Sequence, residues 1–180
     1  MDFKDSQTYK NLETAFAGEA KAHTKYQYYA SQAKKEGYEQ IKEIFEETAH
    51  NEKEHAKIWF KLLHNKEMPL TIDNLIDGIA GEHYEASQMY IDFYKQAKKE
   101  GYDDIADLFL KISRIEEAHE KRYEVLLDNI RHNSIFHKDD KILWQCSNCG
   151  FEYVGRNSPV QCPVCAHPQG YFYEKSFNYL

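Results

Sequence analysis

The sequence lacks the features that mark secreted, membrane and nucleic-acid-binding proteins. Its N-terminus, MDFKDSQTYK, carries charges where a secretory signal needs an apolar core, and no uninterrupted apolar run approaches the roughly 18 residues of a membrane span. Lys and Arg are scattered among Asp and Glu, and the formal net charge is -7, which argues against binding to phosphate backbones. We therefore expect a cytoplasmic protein that has no membrane partner and no nucleic-acid partner.

Cysteine is absent from the chain before Cys146, and all four cysteines lie in two C-x-x-C pairs, CSNC and CPVC. In a cytosolic protein such pairs indicate thiolates on a metal more than a disulfide framework. Four thiolates at paired spacing are typical of a tetrahedral metal site, although the spacing alone does not distinguish a zinc ribbon from an iron centre. The predicted ligands are Cys146, Cys149, Cys162 and Cys165.

The part of the chain that precedes the cysteines consists of two halves that repeat each other. Apolar residues recur at steps of three and four between positions 6 and 130, which predicts helices, and Gly37 and Gly101 suit helix ends. Each helix is expected to bury its apolar stripe, as the second does with Ile41 and Ile44. The segment QAKKEGY at 32 to 38 recurs unchanged at 96 to 102. Two duplicated helical hairpins joined by a longer connection predict a four-helix bundle.

The offset between the two halves changes by one position inside the third predicted helix. Glu116 follows Glu52 at a separation that is one position longer than the separation between Glu19 and Glu82. One extra residue has therefore entered the third helix between Glu82 and Tyr90. A single insertion inside a helix is most simply accommodated as a π-bulge, a feature often found beside functional sites.

Glutamates and histidines interrupt the apolar stripes of all four predicted helices. The second and fourth helices each carry a Glu-x-x-His pair, whose side chains project from one face because three residues make about one turn. Carboxylates that face one another repel, and the stripes offer no inward Lys or Arg to neutralise them. Two divalent cations would do so, and mixed oxygen and imidazole ligands suit iron or manganese. The predicted ligands are Glu19, Glu52, His55, Glu82, Glu85, Glu116 and His119.

Several further polar side chains lie near these positions. Tyr26 and Tyr90 fall about two turns beyond the carboxylates of the first and third helices, and the pattern leaves open whether they hydrogen-bond a liganding carboxylate or pack as core. His23 is a weaker candidate for the same supporting role. His83 and Glu120 fall off the apolar stripes, and we expect both to be solvated.

Together, the ligand pattern, the internal repeat and the C-terminal cysteines resemble the rubrerythrins over essentially the whole chain. The tail, with WQCSNCGFEYVG and PVQCPVCAHP, resembles rubredoxin, and Gly150 suits a positive-φ turn after the first pair. Ala166 stands where a rubredoxin loop usually has glycine, and the left-handed conformation expected there costs an alanine about 1 kcal/mol. The resemblance implies an all-α, ferritin-like four-helix bundle followed by a small rubredoxin-like metal-binding domain. The expected division is residues 1–131 for the bundle, 132–141 for a flexible linker and 142–180 for the C-terminal domain.

The resemblance also implies an activity, that of a non-haem diiron peroxidase of anaerobic or microaerophilic cells. Such an enzyme reduces hydrogen peroxide to water with electrons ultimately from NAD(P)H. The expected partners are an electron-donor protein, either rubredoxin or an NAD(P)H-dependent reductase, and a second copy of the chain in a head-to-tail homodimer. A mononuclear iron on the four cysteines would relay the electrons one at a time.

The resemblance further implies a role for each bundle ligand. One iron is held by the glutamate of the first helix and the other by Glu82 and His119, while Glu52 and Glu116 bridge the pair. The first iron exchanges Glu85 for the histidine of the second helix between oxidation states. An anionic oxygen suits the ferric ion, whereas neutral imidazole suits the ferrous ion.

Two other functional classes remain open at this point. Ferritin-like bundles also oxidise and store iron, but a storage protein has no need of a one-electron relay such as the four-cysteine module. A diiron oxidase that reduces dioxygen would use the same ligand set, and nothing in the sequence excludes it.

Overall fold

A computed structural model describes residues 2–177 of the chain as two compact units that divide between Leu70 and Thr71. The first unit is a helical hairpin, and the second contains another helical hairpin and a small antiparallel sheet. Among residues 2–177, none of the helices combines the length and the hydropathy of a membrane span. The helices are α1 (Gln7–Lys35), α2 (Glu39–Leu63), α3 (Thr71–Tyr84), α4 (Tyr90–Glu100) and α5 (Asp103–Arg131). The strands are β1 (His137–Cys146), β2 (Glu152–Asn157) and β3 (Phe172–Glu174).

The first hairpin is held together by small side chains between α1 and α2. Helix α1 begins at an N-cap, because the hydroxyl of Ser6 accepts a hydrogen bond from the backbone N–H of Tyr9 at 3.1 Å. Alanine adds little bulk, so the helix axes can approach closely where alanines face each other. The buried alanines of this unit are Ala30, Ala33, Ala49 and Ala56.

The repeated QAKKEGY segment forms the same turn in both hairpins. Gly37 and Gly101 have φ angles of 84° and 83°, and each follows the last turn of a helix. In the second hairpin the N–H of Tyr102 then donates to the carbonyl of Ala97 at 2.9 Å, which closes the helix end. The predicted helix ends at both glycines are therefore confirmed.

A π-helical turn, Glu85–Met89, connects α3 to α4 without a break. The predicted π-bulge between Glu82 and Tyr90 is thus confirmed, and α3 and α4 together form the third helix of the sequence analysis. Four helices followed by a strand region with four cysteines confirm the predicted fold class.

The apolar stripes are less covered than their periodicity suggests. Ile41 and Ile44 were expected on the buried stripe of α2, yet they are 46% and 55% exposed. Leu108 of α5 is exposed as well. Two paired helices cover only the line along which they touch, whereas a stripe of this width extends on either side of that line. The expectation of burial is therefore wrong for these side chains in the described structure.

The C-terminal module is a three-stranded antiparallel sheet with the strand order β2-β1-β3. Its small core joins Trp144 and Phe172 to Cys146 and Cys162. The indole N–H of Trp144 donates to the carbonyl of Gly155 at 2.9 Å, so the buried ring leaves no polar atom unpaired. A core of this size stabilises a module only weakly, and a bound metal is the usual supplement.

The segment between the helices and this module is shorter than predicted. Strand β1 begins at His137, inside the segment 132–141 that was expected to be a flexible linker. Only residues 132–136 lie between α5 and β1, and the N–H of Ser158 donates to the carbonyl of Phe136 at 2.9 Å. The C-terminal module therefore joins α5 through a short, hydrogen-bonded connection.

The turn between α4 and α5 provides a stability test. Replacing Gly101 by alanine should lower the free energy of unfolding by about 1 kcal/mol, because an L side chain is strained at positive φ. Gly101→Asn should cost less, since asparagine tolerates this conformation. Urea unfolding of the metal-free proteins, followed by helical circular dichroism, measures both. Equal stability of Gly101→Ala and the parent protein would contradict the assigned turn.

Candidate metal centres

The first hairpin brings three of the predicted ligands together. Glu19 projects from α1, while Glu52 and His55 project one turn apart from α2. The Nδ1 atom of His55 lies 2.9 Å from Oε2 of Glu52 and 3.8 Å from Oε1 of Glu19. One ligand atom from each residue falls within 4.8 Å of the other two, so the three side chains converge on one point.

The second hairpin repeats this arrangement with Glu82, Glu116 and His119. The Nδ1 atom of His119 lies 2.8 Å from Oε2 of Glu116 and 3.6 Å from Oε2 of Glu82. All three side chains are partly buried, with exposed fractions of 20%, 14% and 35% in the same residue order. The structure therefore contains two three-ligand clusters of the same composition, one in each unit.

Both clusters fit a divalent metal ion. Two ligands at right angles on a metal, each about 2.1 Å from it, are about 3 Å apart, which matches the shorter imidazole-to-carboxylate distance in each cluster, 2.9 Å and 2.8 Å. The pKa of Glu52 is lowered, first by a hydrogen bond with the neighbouring Glu19 carboxyl and then by His55. Adjacent carboxyl groups without a cation have to share protons in this way. A bound cation removes that requirement and suits the mixture of oxygen and imidazole donors.

Glu85 is the one predicted bundle ligand that belongs to neither cluster. It opens the π-helical turn and is half-buried. Burial, and then the negative charges of Glu85 and Glu116, raise the pKa of the Tyr90 hydroxyl, which places this phenol in an acidic environment. The ring of Tyr26 instead stacks on Phe45, with centroids 6.2 Å apart. Supporting roles for the two tyrosines stay predictions.

Two inter-helix contacts beside the clusters were missed by the sequence analysis. His23 of α1 approaches the carbonyl of Ala49 on α2, with Nδ1 2.7 Å from the oxygen. His83 of α3 contacts Glu120 of α5, with Nδ1 2.8 Å from Oε1. Glu120 was expected in solvent, but its side chain is only 17% exposed, so that expectation is wrong. The sequence offered one indication of the second contact, because His83 directly follows one predicted ligand and Glu120 directly follows another.

The four cysteines form a third cluster, in the C-terminal module. The Sγ atoms of Cys146 and Cys165 are 3.7 Å apart, and those of Cys149 and Cys162 are 3.6 Å apart. A tetrahedral metal with bonds of about 2.3 Å to sulfur requires sulfur atoms about 3.8 Å apart. The cluster therefore has the dimensions of a tetrahedral thiolate site.

The ionisation of these thiols also favours a bound cation. The backbone N–H of His167 lowers the pKa of Cys165 to about 6 against the effect of desolvation. The N–H of Phe151 acts in the same direction on Cys149, but desolvation and the other three thiols outweigh it and raise that pKa to about 12. Four neighbouring sulfurs cannot all carry negative charge without a counter-ion. A metal cation permits the fully deprotonated state.

The two cysteine loops have the same backbone geometry. After the first pair, the N–H of Gly150 donates to the carbonyl of Cys146 at 2.9 Å, and after the second pair the N–H of Ala166 donates to the carbonyl of Cys162 at 2.9 Å. Gly150 has a φ of 77° and Ala166 a φ of 59°. The positive φ expected at both positions is confirmed, and at Ala166 it costs about 1 kcal/mol because alanine carries a Cβ atom.

Comparison with known families gives two matches that together span both parts of the chain. The family model described as rubrerythrin matches residues 10–127, which include every predicted bundle ligand. The model described as the rubrerythrin rubredoxin-like domain matches residues 144–173, which include all four cysteines.

Individual relatives are similar along almost their whole length. The rubrerythrin of Porphyromonas gingivalis is 42% identical, and the alignment covers 98% of this chain and 94% of the relative. The rubrerythrin of Nitratidesulfovibrio vulgaris is 43% identical, with 94% of each chain covered. Nigerythrin of the same organism is 34% identical, over 92% of this chain and 85% of the relative.

The paired carboxylates of the first hairpin predict opposite effects of one substitution with and without metal. Glu19→Gln should raise the thermal midpoint of the metal-free protein, because it removes one of two adjacent carboxylates and keeps a hydrogen-bond donor. With iron bound, the same substitution should lower the midpoint, because a neutral amide is a poorer ligand than a carboxylate. Glu13→Gln, at an exposed carboxylate of the same helix, should change neither value. Shifts of the same sign in both forms would argue against a metal at this cluster.

Metal content tests the third cluster separately. Protein reconstituted with ferrous iron should hold about three irons per chain and, once oxidised, show ferric-thiolate absorption. Cys162→Ala should hold about two irons and lose that absorption, because the buried Cys162 is one of four sulfur ligands. His119→Ala should keep the absorption while losing iron. A retained thiolate band in Cys162→Ala would contradict the four-sulfur site.

Proposed function

This chain belongs to the rubrerythrin family, and we propose that it is a non-haem diiron peroxidase that reduces hydrogen peroxide to water. Proteins of the family are oxidoreductases whose domains bind a diiron site, and Cys146, Cys149, Cys162 and Cys165 form the rubredoxin-like iron site. The observation that carries the proposal is the presence, in one chain, of two carboxylate–histidine clusters and one four-cysteine cluster.

We assign the bundle ligands to two irons according to the two clusters. Glu19 and His55 would hold one iron, and Glu82 and His119 would hold the other. Glu52 and Glu116 would complete the two sets, as the carboxylates that the family shares between its two irons. The matching distances in the two hairpins support this assignment, since each histidine Nδ1 faces one glutamate of its own helix and one of the neighbouring helix.

The proposed role of Glu85 follows from its place outside both clusters. The family exchanges a glutamate for a histidine on one iron, and the residues at those positions are Glu85 and His55. In the described structure the His55 imidazole lies beside the carboxyl groups of Glu19 and Glu52. The π-helical turn carries Glu85 on a locally widened stretch of helix, where a carboxylate can move with little change elsewhere.

The reaction requires two electrons and two protons for each peroxide, and it yields two waters. When bound, the iron pair supplies the electrons and the Lewis-acid polarisation with which the O–O bond is cleaved. The protein's carboxylates neutralise the cations and hold them in place, while the imidazoles add neutral donors. Protons arrive from water or from a carboxylic acid near the clusters. The hydroxyl of Tyr90 is protonated at neutral pH, as tyrosines ordinarily are, and burial raises its pKa further, so it can donate a hydrogen bond to a neighbouring carboxylate.

Electrons enter through the C-terminal module in this proposal. Cys146 and Cys162 are buried, whereas Cys149 is exposed, so one sulfur ligand lies at the surface where a donor protein can approach. The donor is rubredoxin or an NAD(P)H-dependent reductase. One exposed ligand suits a one-electron relay, because it permits close approach while the two buried sulfurs stay shielded from water.

We further propose the cellular setting that the resemblance implies. The protein acts in the cytoplasm of an anaerobic or microaerophilic cell as a defence against peroxide, and it forms a head-to-tail homodimer. Its chain divides into a bundle of residues 1–131 and a rubredoxin-like domain of residues 142–180, and the segment 132–141 between them includes the start of β1.

Rates of peroxide and dioxygen consumption by the fully reduced protein test the activity. Peroxide should be consumed faster than dioxygen, in a first turnover that does not depend on the cysteine site. Cys149→Ser should keep this first turnover and lose sustained turnover with an electron donor, because re-reduction of the bundle fails. Faster consumption of dioxygen would make the protein an oxidase, and uptake of iron far beyond three ions per chain would indicate storage.

A further inference from the structure

The contact between His83 and Glu120 joins two helices of the second hairpin. The Nδ1 atom of His83 lies 2.8 Å from Oε1 of Glu120. A carboxylate can only accept hydrogen bonds, so Nδ1 carries the proton and donates it. The Glu120 side chain is 17% exposed while that of His83 is 63% exposed. The exposed histidine thus donates a hydrogen bond to a carboxylate that is mostly buried and has little access to water.

The position of this contact links it to the second metal cluster. His83 follows Glu82 on α3, and Glu120 follows His119 on α5. Neighbouring residues of a helix point in directions about 100° apart, so the contact lies beside the cluster and does not include its ligands. Since it spans the same two helices at the same level, it fixes their separation and rotation where Glu82 and His119 converge.

The first hairpin has no such contact at the matching positions. The internal repeat that aligns Glu19 with Glu82 places Ala20 opposite His83, because each directly follows the aligned glutamate. In the same way, Ala56 directly follows His55 and corresponds to Glu120. Ala56 is 7% exposed, so α1 and α2 meet there through a small apolar side chain. The duplicated hairpins therefore use different chemistry at the same point, packing in one and a hydrogen bond in the other.

The surroundings of the contact make it accessible to a clean test. It borders a surface cleft of about 560 Å³ whose lining includes Ser113, Arg114, Glu117 and Lys121. Because the cleft is open to solvent, truncation of His83 leaves space that water fills and creates no sealed cavity. Glu117 and Lys121 form an ion pair of 2.5 Å within α5, which supplies a matched contact that joins no second helix.

We infer that His83 and Glu120 form a positioning pair that holds Glu82, Glu116 and His119 in metal-binding geometry. The inference rests on the proposed function, because it requires those three side chains to bind metal. Neither residue of the pair is itself a ligand. Partners that orient ligands without touching the metal typically change metal affinity 10- to 100-fold when removed. The effect should be confined to the second cluster, because the first hairpin has alanines at both matching positions.

Cobalt binding to the full-length protein, with zinc already in the cysteine site, separates the two clusters. In the proton NMR spectrum, the paramagnetically shifted ring N–H signal of His55 reports cobalt in the first cluster, and that of His119 reports cobalt in the second. The variants His55→Gln and His119→Gln assign the two signals. In His83→Ala and in Glu120→Ala, the cobalt concentration that half-saturates the His119 signal should rise at least about tenfold. The concentration that half-saturates the His55 signal should stay unchanged. The double variant should be no worse than either single variant, because both remove the same contact. Glu120→Gln should bind almost normally, since its amide carbonyl still accepts the hydrogen bond.

Glu117→Ala is the control, because it breaks an ion pair of the same cleft within one helix. A purely structural contact would lower the thermal midpoint and leave the ratio of the two cobalt affinities unchanged, which would overturn the inference. The inference would also be overturned if cobalt affinity fell equally at His55 and His119, or if Glu117→Ala lowered the affinity at His119 as much as His83→Ala does. If the parent protein gave no shifted signals, the metal assignment itself would fail, whereas normal parent binding with unaffected variants would remove only the positioning role.

Discussion

Two carboxylates and one imidazole converge within each helical hairpin, and the rest of the structure is built around this convergence. Side chains of this kind meet only where two helices run close together, which explains the small residues along the α1–α2 contact, such as Ala49 and Ala56. Each Glu-x-x-His motif then needs only one partner from the neighbouring helix to complete a three-ligand set. A cation stabilises this arrangement, whereas the same carboxylates without a cation compete for protons.

Duplication of one hairpin accounts for the likeness of the two clusters, and later changes account for their differences. The π-helical turn exists only in the second of the two described hairpins, and it brings Glu85, whose counterpart in the first half is Ala22. The histidine contacts also differ, since His23 bonds a backbone carbonyl in one hairpin and His83 bonds a carboxylate in the other. Two metal ions bound by these sets would therefore have different surroundings even though their ligands are alike.

Patterns in the sequence predicted much of this molecule, including the three ligand clusters, whereas contacts between residues off the apolar stripes were not predicted. Helix ends at Gly37 and Gly101, the π-helical turn and the left-handed Ala166 all follow from short stretches of sequence, and each was found. The contact between His83 and Glu120 joins positions far apart in the chain, and neither residue lies on an apolar stripe. The predicted burial of some apolar side chains was wrong for a related reason, because periodicity identifies an apolar face of a helix but not what covers that face.

In the four-cysteine module the sequence likewise predicted the metal ligands but did not predict where the first strand begins. Residues 137–141 contain Lys and Asp and carry no apolar alternation, so the sequence suggested a linker where the structure has part of β1. Pairing with β2 compensates for the weak local preference there, with His137 opposite Asn157. Long-range pairing of this kind overrides composition.

The short connection after α5 limits how far the four-cysteine module can move away from that helix. Five residues span at most about 18 Å when fully extended, and the bond from Ser158 to Phe136 removes part of that length. A module connected in this way cannot move over a large volume to reach an acceptor. If the module relays electrons as proposed, its reach depends on this short connection, and its supply depends on how often a donor meets the exposed Cys149.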